Sequence, residues 1–319
     1  MSDVEYIPII DFGCFHIDNA SDNIDITKET VQETSQKLCD ALRNIGFVYL
    51  KNHGIRDEEI LKVQGLFQSF FDLPFDVRRK FIKGGDKNHG YTAWETEKCN
   101  PSRACDLKEA FNVTPCELLE TNTYPNAEVP GFENGAKEFM DRANVVARRV
   151  LQAVAIGLKL KNPSFFDDFH HAYNTGIANT TTLRVARYGA LDGIEIKPNQ
   201  VRCGEHSDYG SVTLVFQDGV GGLEVKGVDG DYKPATPIPG TVVVNIGDLI
   251  QRWTADQLKA TKHRVVVPTD ESAKKRVRSS VIYFMMPDDD ALIECLDGSN
   301  KYPPIAAYDW VMSQMNKIY

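Results

Sequence analysis

The 319-residue sequence contains no run of 18 apolar residues, whereas a membrane-spanning helix needs about 20. We therefore expect no membrane span. The first residues, "MSDVEYIPIIDFG", are acidic, and they lack the basic segment followed by an apolar segment that marks a secretory signal. No secretory signal is therefore expected.

Basic residues are too few to form a general nucleic-acid surface. The chain has 36 Lys and Arg against 45 Asp and Glu, which gives a net charge of −9. Binding to nucleic acid or to anionic membranes requires a positive electrostatic surface. Neither partner is expected, although a local group of Arg could still bind an acidic small molecule.

Cysteine is sparse and follows no pairing pattern. The seven residues stand at positions 14, 39, 99, 105, 116, 203 and 295, and no Cys-x-x-Cys occurs. An odd number at irregular spacing argues against a disulfide framework. We expect free thiols in a reducing compartment, and hence a cytoplasmic protein.

The pattern of secondary structure changes near residue 175. Before it, residues 7–12 and 46–55 predict strands, 26–47, 58–74 and 135–160 predict helices, and 84–105 predict a loop. After it, short β-branched runs alternate with turn signals, which is typical of an antiparallel sandwich or barrel. We predict a mainly β protein with flanking α-helices. Its two regions, 1–175 and 176–319, are expected to form one integrated unit that ends in a closing helix.

The stretch "CGEHSDYGSVTLVFQD" (203–218) places His206 and Asp208 two residues apart in a strand-like run. Such residues point to one face of a strand, so both side chains can reach one metal ion. A second His-x-Asp pair, His16 and Asp18, lies in a polar loop-like stretch and is expected to be solvated. His263 begins another β-branched run and can supply a third ligand. Two His and one carboxylate form the Fe(II) site of non-haem oxygenases.

A co-substrate site is predicted beside these ligands. In "RVRSSVIYF", Arg278 and Ser280 share one strand face, and "LRVARYG" offers the hydroxyl of Tyr188. A guanidinium binds a carboxylate through two parallel hydrogen bonds. These three side chains are predicted to bind the far carboxylate of a dicarboxylic keto acid.

With these motifs, the chain resembles the isopenicillin N synthase-like group of 2-oxoglutarate/Fe(II)-dependent dioxygenases. The resemblance covers nearly the whole chain. The second half carries the more specific motifs, "HSDYGSVTLVFQD", "GGLEV", "VVNIGDLIQRWT", "KHRVVVP" and "RSSVIYFMMP". The first half carries the softer motifs "IPIIDF", "GFVYLKNHGI", "FFDLP" and "DLKEAF".

The resemblance implies a double-stranded β-helix, or jelly-roll, core with flanking helices. It implies an enzyme that uses Fe(II), 2-oxoglutarate and O₂ to oxidise a small molecule by hydroxylation, desaturation or cyclisation, releasing succinate and CO₂. The implied iron ligands are His206, Asp208 and His263. The implied 2-oxoglutarate ligands are Arg278, Ser280 and Tyr188.

Two other functions remain open from the sequence. Isopenicillin N synthase and the aminocyclopropane carboxylate oxidases share the fold and the Arg-x-Ser pair but use no 2-oxoglutarate. A non-catalytic binding protein on this scaffold is the second alternative. Such a protein would usually lack a metal ligand, and all three are present here.

Substrate residues are predicted from bulky or charged side chains near these motifs. Tyr91 and Trp94 lie in the 84–105 loop, and aromatic loops often close over sites. We expect both to lie nearer the iron than Trp310 of the closing helix, and Arg187 to face the same cavity. The other candidates are Lys108, Arg184, Phe216, Tyr283 and Met285. The Arg and Lys residues indicate an acidic or amino-acid-like substrate.

Overall fold

A computed structural model describes residues 6–19, 24–84, 88–100, 102–115, 123–175 and 179–316. The strands in these ranges are β1 Ile9–Asp11, β2 Phe47–Lys51, β3 Gly90–Thr92, β4 Glu109–Val113, β5 Thr182–Tyr188, β6 Cys203–His206, β7 Val212–Gln217, β8 Leu223–Lys226, β9 Tyr232–Pro234, β10 Thr241–Ile246, β11 His263–Val265, β12 Arg278–Met285, β13 Leu292–Ile293 and β14 Ile305–Ala306. The helices are α1 Glu29–Asn44, α2 Asp57–Phe71, α3 Phe75–Arg78, α4 Phe132–Gly157, α5 Asp248–Trp253, α6 Glu271–Lys274 and α7 Ala307–Met315. Short 3-10 helices lie at Gly13–Phe15, Arg79–Phe81 and Phe165–Phe169.

Two facing sheets form the core. The large sheet has the order β1-β2-β10-β7-β12-β5-β4-β3, and the small sheet has the order β6-β11-β8-β9. They pack together through apolar side chains that include Tyr49 and Ala186 of the large sheet and Val225 and Val265 of the small one. We call this face of the large sheet its inner face. Two packed sheets with flanking helices are the architecture expected from the sequence.

The opposite, outer face of the large sheet packs against α1, α2 and α4. Phe70 of α2 and Val150 of α4 share one buried cluster with Phe111 of β4 and Leu214 of β7. Because successive side chains of a strand point to opposite faces, each strand divides its residues between the helices and the sheet interior. That division decides which side chains can reach a site between the sheets.

Both regions of the chain contribute to the large sheet. β2 pairs antiparallel with β10, with Val48 opposite Val244, and β4 pairs antiparallel with β5, with Ala110 opposite Ala186. β1 pairs parallel with β2. Strands from residues 1–175 therefore extend the core sheet at both of its edges.

The predicted helices are present as α1, α2, α4 and α7, but the prediction of a loop over residues 84–105 is wrong in part. That segment contains β3, which pairs with β4 and places Tyr91 opposite Phe111. Its Gly- and Asn-rich composition is typical of a loop and did not indicate a strand. In the described ranges, none of the helices is both long and apolar enough to cross a membrane.

Candidate metal centre and adjoining cavity

His206, Asp208 and His263 converge at one end of the small sheet. β6 ends at His206 and β11 begins at His263, and the antiparallel register sets these residues opposite each other. Asp208 Oδ1 lies 3.8 Å from His206 Nε2 and 3.7 Å from His263 Nε2. The three potential ligand atoms all lie within 4.8 Å of one another. One metal ion could contact all three.

The prediction that His206 and Asp208 point to the same face of one strand is wrong for Asp208. β6 stops at His206, so Asp208 lies beyond the strand instead of sharing its face. The backbone carbonyl of Asp208 accepts a hydrogen bond of 2.8 Å from the N–H of Asp248, the first residue of α5. This bond fixes the backbone of Asp208 just beyond the strand.

Backbone carbonyls orient both imidazole rings. Nδ1 of His206 donates to Gly204 O at 2.8 Å, and Nδ1 of His263 donates to Thr261 O at 3.2 Å. A carbonyl can only accept, so Nδ1 carries the proton and Nε2 keeps a lone pair in the neutral ring. Both Nε2 atoms face Asp208, which is the arrangement that metal-binding histidines require.

Two polar side chains hold the Asp208 carboxylate in place. Its Oδ2 accepts hydrogen bonds from Thr213 Oγ1 at 2.7 Å and Asn245 Nδ2 at 2.6 Å. Oδ1 is thereby left to face the histidines. We did not predict Thr213 or Asn245 from the sequence. A signal was present, because Asn245 is a buried amide in the otherwise apolar run "TVVVNI".

The charge states of these groups suit metal binding. Burial, together with the nearby charge of His206, lowers the pKa of His263 to about 4, so this imidazole is neutral at neutral pH. Burial opposes ionisation of Asp208. Even so, the two histidines and the hydrogen bonds from Asn245 and Thr213 hold the pKa of this carboxyl below its usual value. A neutral imidazole and an ionised carboxylate are the ligating forms.

Arg278, Ser280 and Tyr188 lie together on the inner face. β12 and β5 pair with Arg278 opposite Tyr188, and the Arg278 guanidinium stands 4.7 Å from the Tyr188 ring centre. Arg278 donates from Nε to Gly221 O at 2.6 Å and from Nη2 to Gln217 Oε1 at 3.3 Å.

Two donors of this group, Arg278 Nη1 and Ser280 Oγ, are buried and have no hydrogen-bond partner among the described residues. Burying a charged donor without a partner is costly, so the geometry fits an anionic ligand such as a carboxylate. Arg202, which we did not predict, adds a second fully buried cation. Its Nε and Nη1 also have no partner within the described ranges.

A cavity of about 340 Å³ opens at His206 and Asp208, a volume that suits a small organic ligand. Residues from the inner face, from the 84–105 segment and from α7 line it. They include Asn88, Glu97, Lys98, Asn112, Thr182, Arg184, Tyr308, Val311, Met312 and Met315.

The cavity lining carries both cations and anions, and three cations surround Glu97 on its polar side. Glu97 contacts Arg184 at 2.8 Å, Lys108 at 3.2 Å and Lys83 at 3.9 Å. Burial opposes ionisation of Glu97, but Arg184 and Lys108 hold the pKa of its carboxyl well below the usual range. Lys98 adds another cation to the lining.

Strand alternation turns several residues that were predicted to contact the substrate away from the cavity. Arg187, Phe216 and Tyr283 lie on the outer face, away from the cavity lining. Arg187 pairs with Glu109 at 3.0 Å and Phe216 packs on Phe139. Tyr283 donates a hydrogen bond to an amide of α4, and Met285 is buried in the same helix-facing cluster. Of the charged candidates, Arg184 lies on the inner face and does line the cavity.

The prediction that Tyr91 and Trp94 lie at the cavity is also corrected. The Tyr91 hydroxyl donates to Glu109 at 2.5 Å, and Trp94 packs over Gly189, where an added Cβ would lie 3.2 Å from the indole. Neither lines the cavity, whereas four residues of α7 do. Trp310 itself packs on Arg252, 5.4 Å from its guanidinium. The 84–105 segment reaches the cavity through other residues, including Glu97 and Lys98.

Two family descriptions match the chain. Residues 7–130 match the family described as non-haem dioxygenase in morphine synthesis N-terminal. Residues 181–287 match the 2OG-Fe(II) oxygenase superfamily. The second match contains all of the site residues that the sequence predicted for iron and co-substrate.

Similar proteins are known from fungi. A 2-oxoglutarate-Fe(II) type oxidoreductase, ppzD, of Metarhizium rileyi is 34% identical, and the alignment covers 89% of this chain and 85% of the relative. The proline hydroxylase buaE of Petromyces alliaceus is 31% identical, with 82% and 83% covered. A full-length Neurospora crassa protein, whose crystal structure contains alpha-KG and thymine, is 31% identical. It superposes with a TM-score of 0.86 and covers 100% of this chain and 99% of that chain.

Proposed function

Since this chain belongs to the 2-oxoglutarate/Fe(II) oxygenase superfamily, we propose that His206, Asp208 and His263 hold its iron. The predicted jelly-roll fold, oxygenase activity and use of Fe(II), 2-oxoglutarate and O₂ are confirmed by the family match and the similar structures. They favour an oxygenase over the oxidase that uses no 2-oxoglutarate. The observation that carries the ligand proposal is the convergence of two Nε2 lone pairs and one free carboxylate oxygen.

Arg278 and Ser280 are proposed to receive the far carboxylate of 2-oxoglutarate. Their unpartnered donors, Nη1 and Oγ, lie two residues apart on the inner face of β12. Tyr188 lies beneath the guanidinium and limits its movement. When bound, iron and 2-oxoglutarate supply O₂ activation and two-electron oxidation, and 2-oxoglutarate leaves as succinate and CO₂.

The protein's own contribution is to orient its ligands and to exclude water. Thr213 and Asn245 fix the Asp208 carboxylate, and backbone carbonyls fix the two rings. The apolar side chains of α7 cover one side of the cavity. A preformed site that excludes water directs the oxidation to one C–H bond of the substrate.

The substrate is proposed to be a small acidic or amino-acid-like molecule. Lys83, Lys98 and Arg184 line the cavity, and Lys108 contacts Glu97. These cations can receive an anionic group of the substrate at the polar side, while α7 offers an apolar surface for the remainder. A relative that is a proline hydroxylase is consistent with an amino-acid-like substrate.

We also propose a cytoplasmic location and one integrated catalytic unit. The six cysteines in the described ranges are free thiols, which suits a reducing compartment. Pairing of β2 with β10 and of β4 with β5 joins the two regions of the chain in one sheet.

Succinate release tests this function. The protein with Fe(II) and 2-oxoglutarate should release succinate slowly alone and faster with a substrate. The screen compares small amino and carboxylic acids with thymine, a neutral molecule bound by the Neurospora crassa protein. Stimulation by acids supports the acidic substrate class, whereas stimulation by thymine alone would contradict it. Absence of succinate under all conditions would contradict the assignment of Arg278 and Ser280.

A further inference from the structure

A buried group of two thiols and one ammonium lies beside the proposed iron ligands. Cys99 Sγ and Cys203 Sγ are 3.4 Å apart. Lys108 Nζ lies 3.1 Å from Cys99 Sγ and 3.2 Å from Cys203 Sγ. Both sulfurs also lie within 4.8 Å of a ring nitrogen of His206. We call Cys99, Cys203 and Lys108 the thiol cluster.

The backbone holds the two sulfurs against each other. The Asp106 carboxylate accepts hydrogen bonds from the backbone N–H of Cys99 at 3.1 Å and of Gly204 at 3.0 Å. Its Oδ2 also accepts from Lys108 Nζ at 3.0 Å. One carboxylate therefore fixes the segment that carries Cys99 to the strand that carries Cys203. The thiols are held in place from both sides and do not meet by chance side-chain rotation.

Small molecules can reach this cluster from the cavity. Cys99 is part of the cavity lining, next to His206. Cys203 is the first residue of β6, and His206 is the last. A chemical change at the two sulfurs would therefore act at one end of a four-residue strand whose other end holds a proposed iron ligand.

We propose that Cys99 and Cys203 are an oxidation site, which hydrogen peroxide converts to a reversible disulfide. One sulfur attacks a peroxide oxygen, the O–O bond breaks, and a sulfenic acid and water form. The other sulfur attacks the sulfenic sulfur, which forms the S–S bond and releases a second water. Two thiols lose two electrons and two protons, and one peroxide is reduced to two waters. The Lys108 ammonium contacts both sulfurs and would stabilise negative charge on the one that attacks.

The disulfide would change the geometry around His206. An S–S bond is about 2.0 Å long, so the sulfurs must approach each other from their present 3.4 Å. The start of β6 moves with Cys203, and Lys108 loses two acceptors at once. We therefore expect the oxidised protein to retain its metal less well than the reduced protein. This second part rests on the proposed iron site, whereas disulfide formation does not.

Mass spectrometry tests the disulfide on the full-length chain. Mn(II) replaces iron so that no metal-driven radical chemistry occurs, and the protein is treated with hydrogen peroxide, alkylated and digested. We expect one linked pair of peptides containing Cys99 and Cys203, about 2 Da lighter than their sum and separated by dithiothreitol. Cys99→Ser and Cys203→Ser should abolish this species, and Cys295→Ser, a matched control at a distant thiol, should retain it.

Several results would overturn the proposal. Sulfinic or sulfonic acids without a linked pair would show that the thiols are oxidised separately. A link between other cysteines would move the site. A link between Lys108 and one cysteine, about 14 Da heavier than the sum of the two peptides, would mean that an N–O–S bridge forms instead.

Metal retention tests the consequence separately. Mn(II) affinity is measured first for the reduced wild type, so failure of the metal site itself is recognised at that step. The oxidised wild type should then bind Mn(II) about tenfold more weakly, with recovery on reduction. Cys99→Ser should bind equally well before and after peroxide. A disulfide that forms without changing Mn(II) affinity would overturn the link to His206.

Discussion

Replacing Arg278 by Ala tests how the co-substrate is held. The side chain is buried, with one donor bonded to Gly221 O and another, Nη1, without a partner in the part of the chain that the structure describes. A hydrogen bond to a charged group contributes about 1.5 to 3 kcal/mol. Losing it should raise the KM for 2-oxoglutarate by about tenfold to about a hundredfold.

A second keto acid separates carboxylate binding from general structural damage. 2-Oxopentanoate has the same chain length but carries a methyl group where 2-oxoglutarate has its far carboxylate. If Arg278 pairs with that carboxylate, Arg278→Ala should weaken use of 2-oxoglutarate and leave use of 2-oxopentanoate nearly unchanged. Succinate formation, and butyrate formation for the second acid, report the two reactions.

The results for the two keto acids also show whether another arginine binds the far carboxylate. Equal losses for both acids would mean that Arg278 acts through its bond to Gly221, as a structural residue. No loss for either would refute the pairing and point to Arg202, which is buried and has unpartnered donors. Arg276, the neighbour in the sequence, is exposed and not a credible substitute.

Three further predictions concern other parts of the chain. Asn245→Ala removes a 2.6 Å hydrogen bond to Asp208 and should weaken Fe(II) binding about tenfold to a hundredfold, measured by anaerobic titration; unchanged affinity would contradict the orienting role. Burial lowers the pKa of His170 to about 4, below its unfolded value of about 6.5, so its contribution to stability is complete above pH 6.5 and is lost as the pH falls toward 4. In urea unfolding, the wild type should lose about 2 kcal/mol more stability between pH 7 and pH 5 than His170→Gln does. An equal loss in both proteins would refute this. Arg184→Gln should raise the KM for an acidic substrate about tenfold without changing that for 2-oxoglutarate, and steady-state kinetics that show the reverse would place the substrate elsewhere.

The residues proposed to bind iron and co-substrate could be identified from the sequence because their spacing and order are specific. His206 and Asp208 lie two apart, His263 follows at a strand start, and Arg278 and Ser280 share one strand face. The structure brings the first three together and the last two beside Tyr188. The two pairs, His206 with Asp208 and Arg278 with Ser280, depend on local spacing, whereas His263 and Tyr188 join them through the pairing of distant strands.

The substrate wall was predicted less well because size and charge were considered without strand alternation. Once Arg278 and Ser280 face the inner side of β12, Tyr283 must face the helices. The same two-residue period applies to β5. Because Tyr188 faces inward, Arg187 must face outward and Arg184 must face inward. This part of the error could have been avoided from the sequence.

Other features depend on contacts between distant segments and could not be read from spacing. α7 lines the cavity although its residues lie far along the chain from His206. The thiol cluster joins Cys99, Lys108 and Cys203, and the Asp106 carboxylate holds their distant segments together. Irregular cysteine spacing gave no indication that two of the thiols would meet.

The iron content of anaerobically reconstituted protein tests the proposed metal centre most directly. The wild type should bind one Fe(II) per chain, and Asp208→Ala should lose it, because the only oxygen ligand of the proposed set disappears. Glu97→Gln provides a control carboxyl in the same cavity and should keep its iron. Full iron in Asp208→Ala, or equal loss in both variants, would contradict the assignment of His206, Asp208 and His263 as the metal centre.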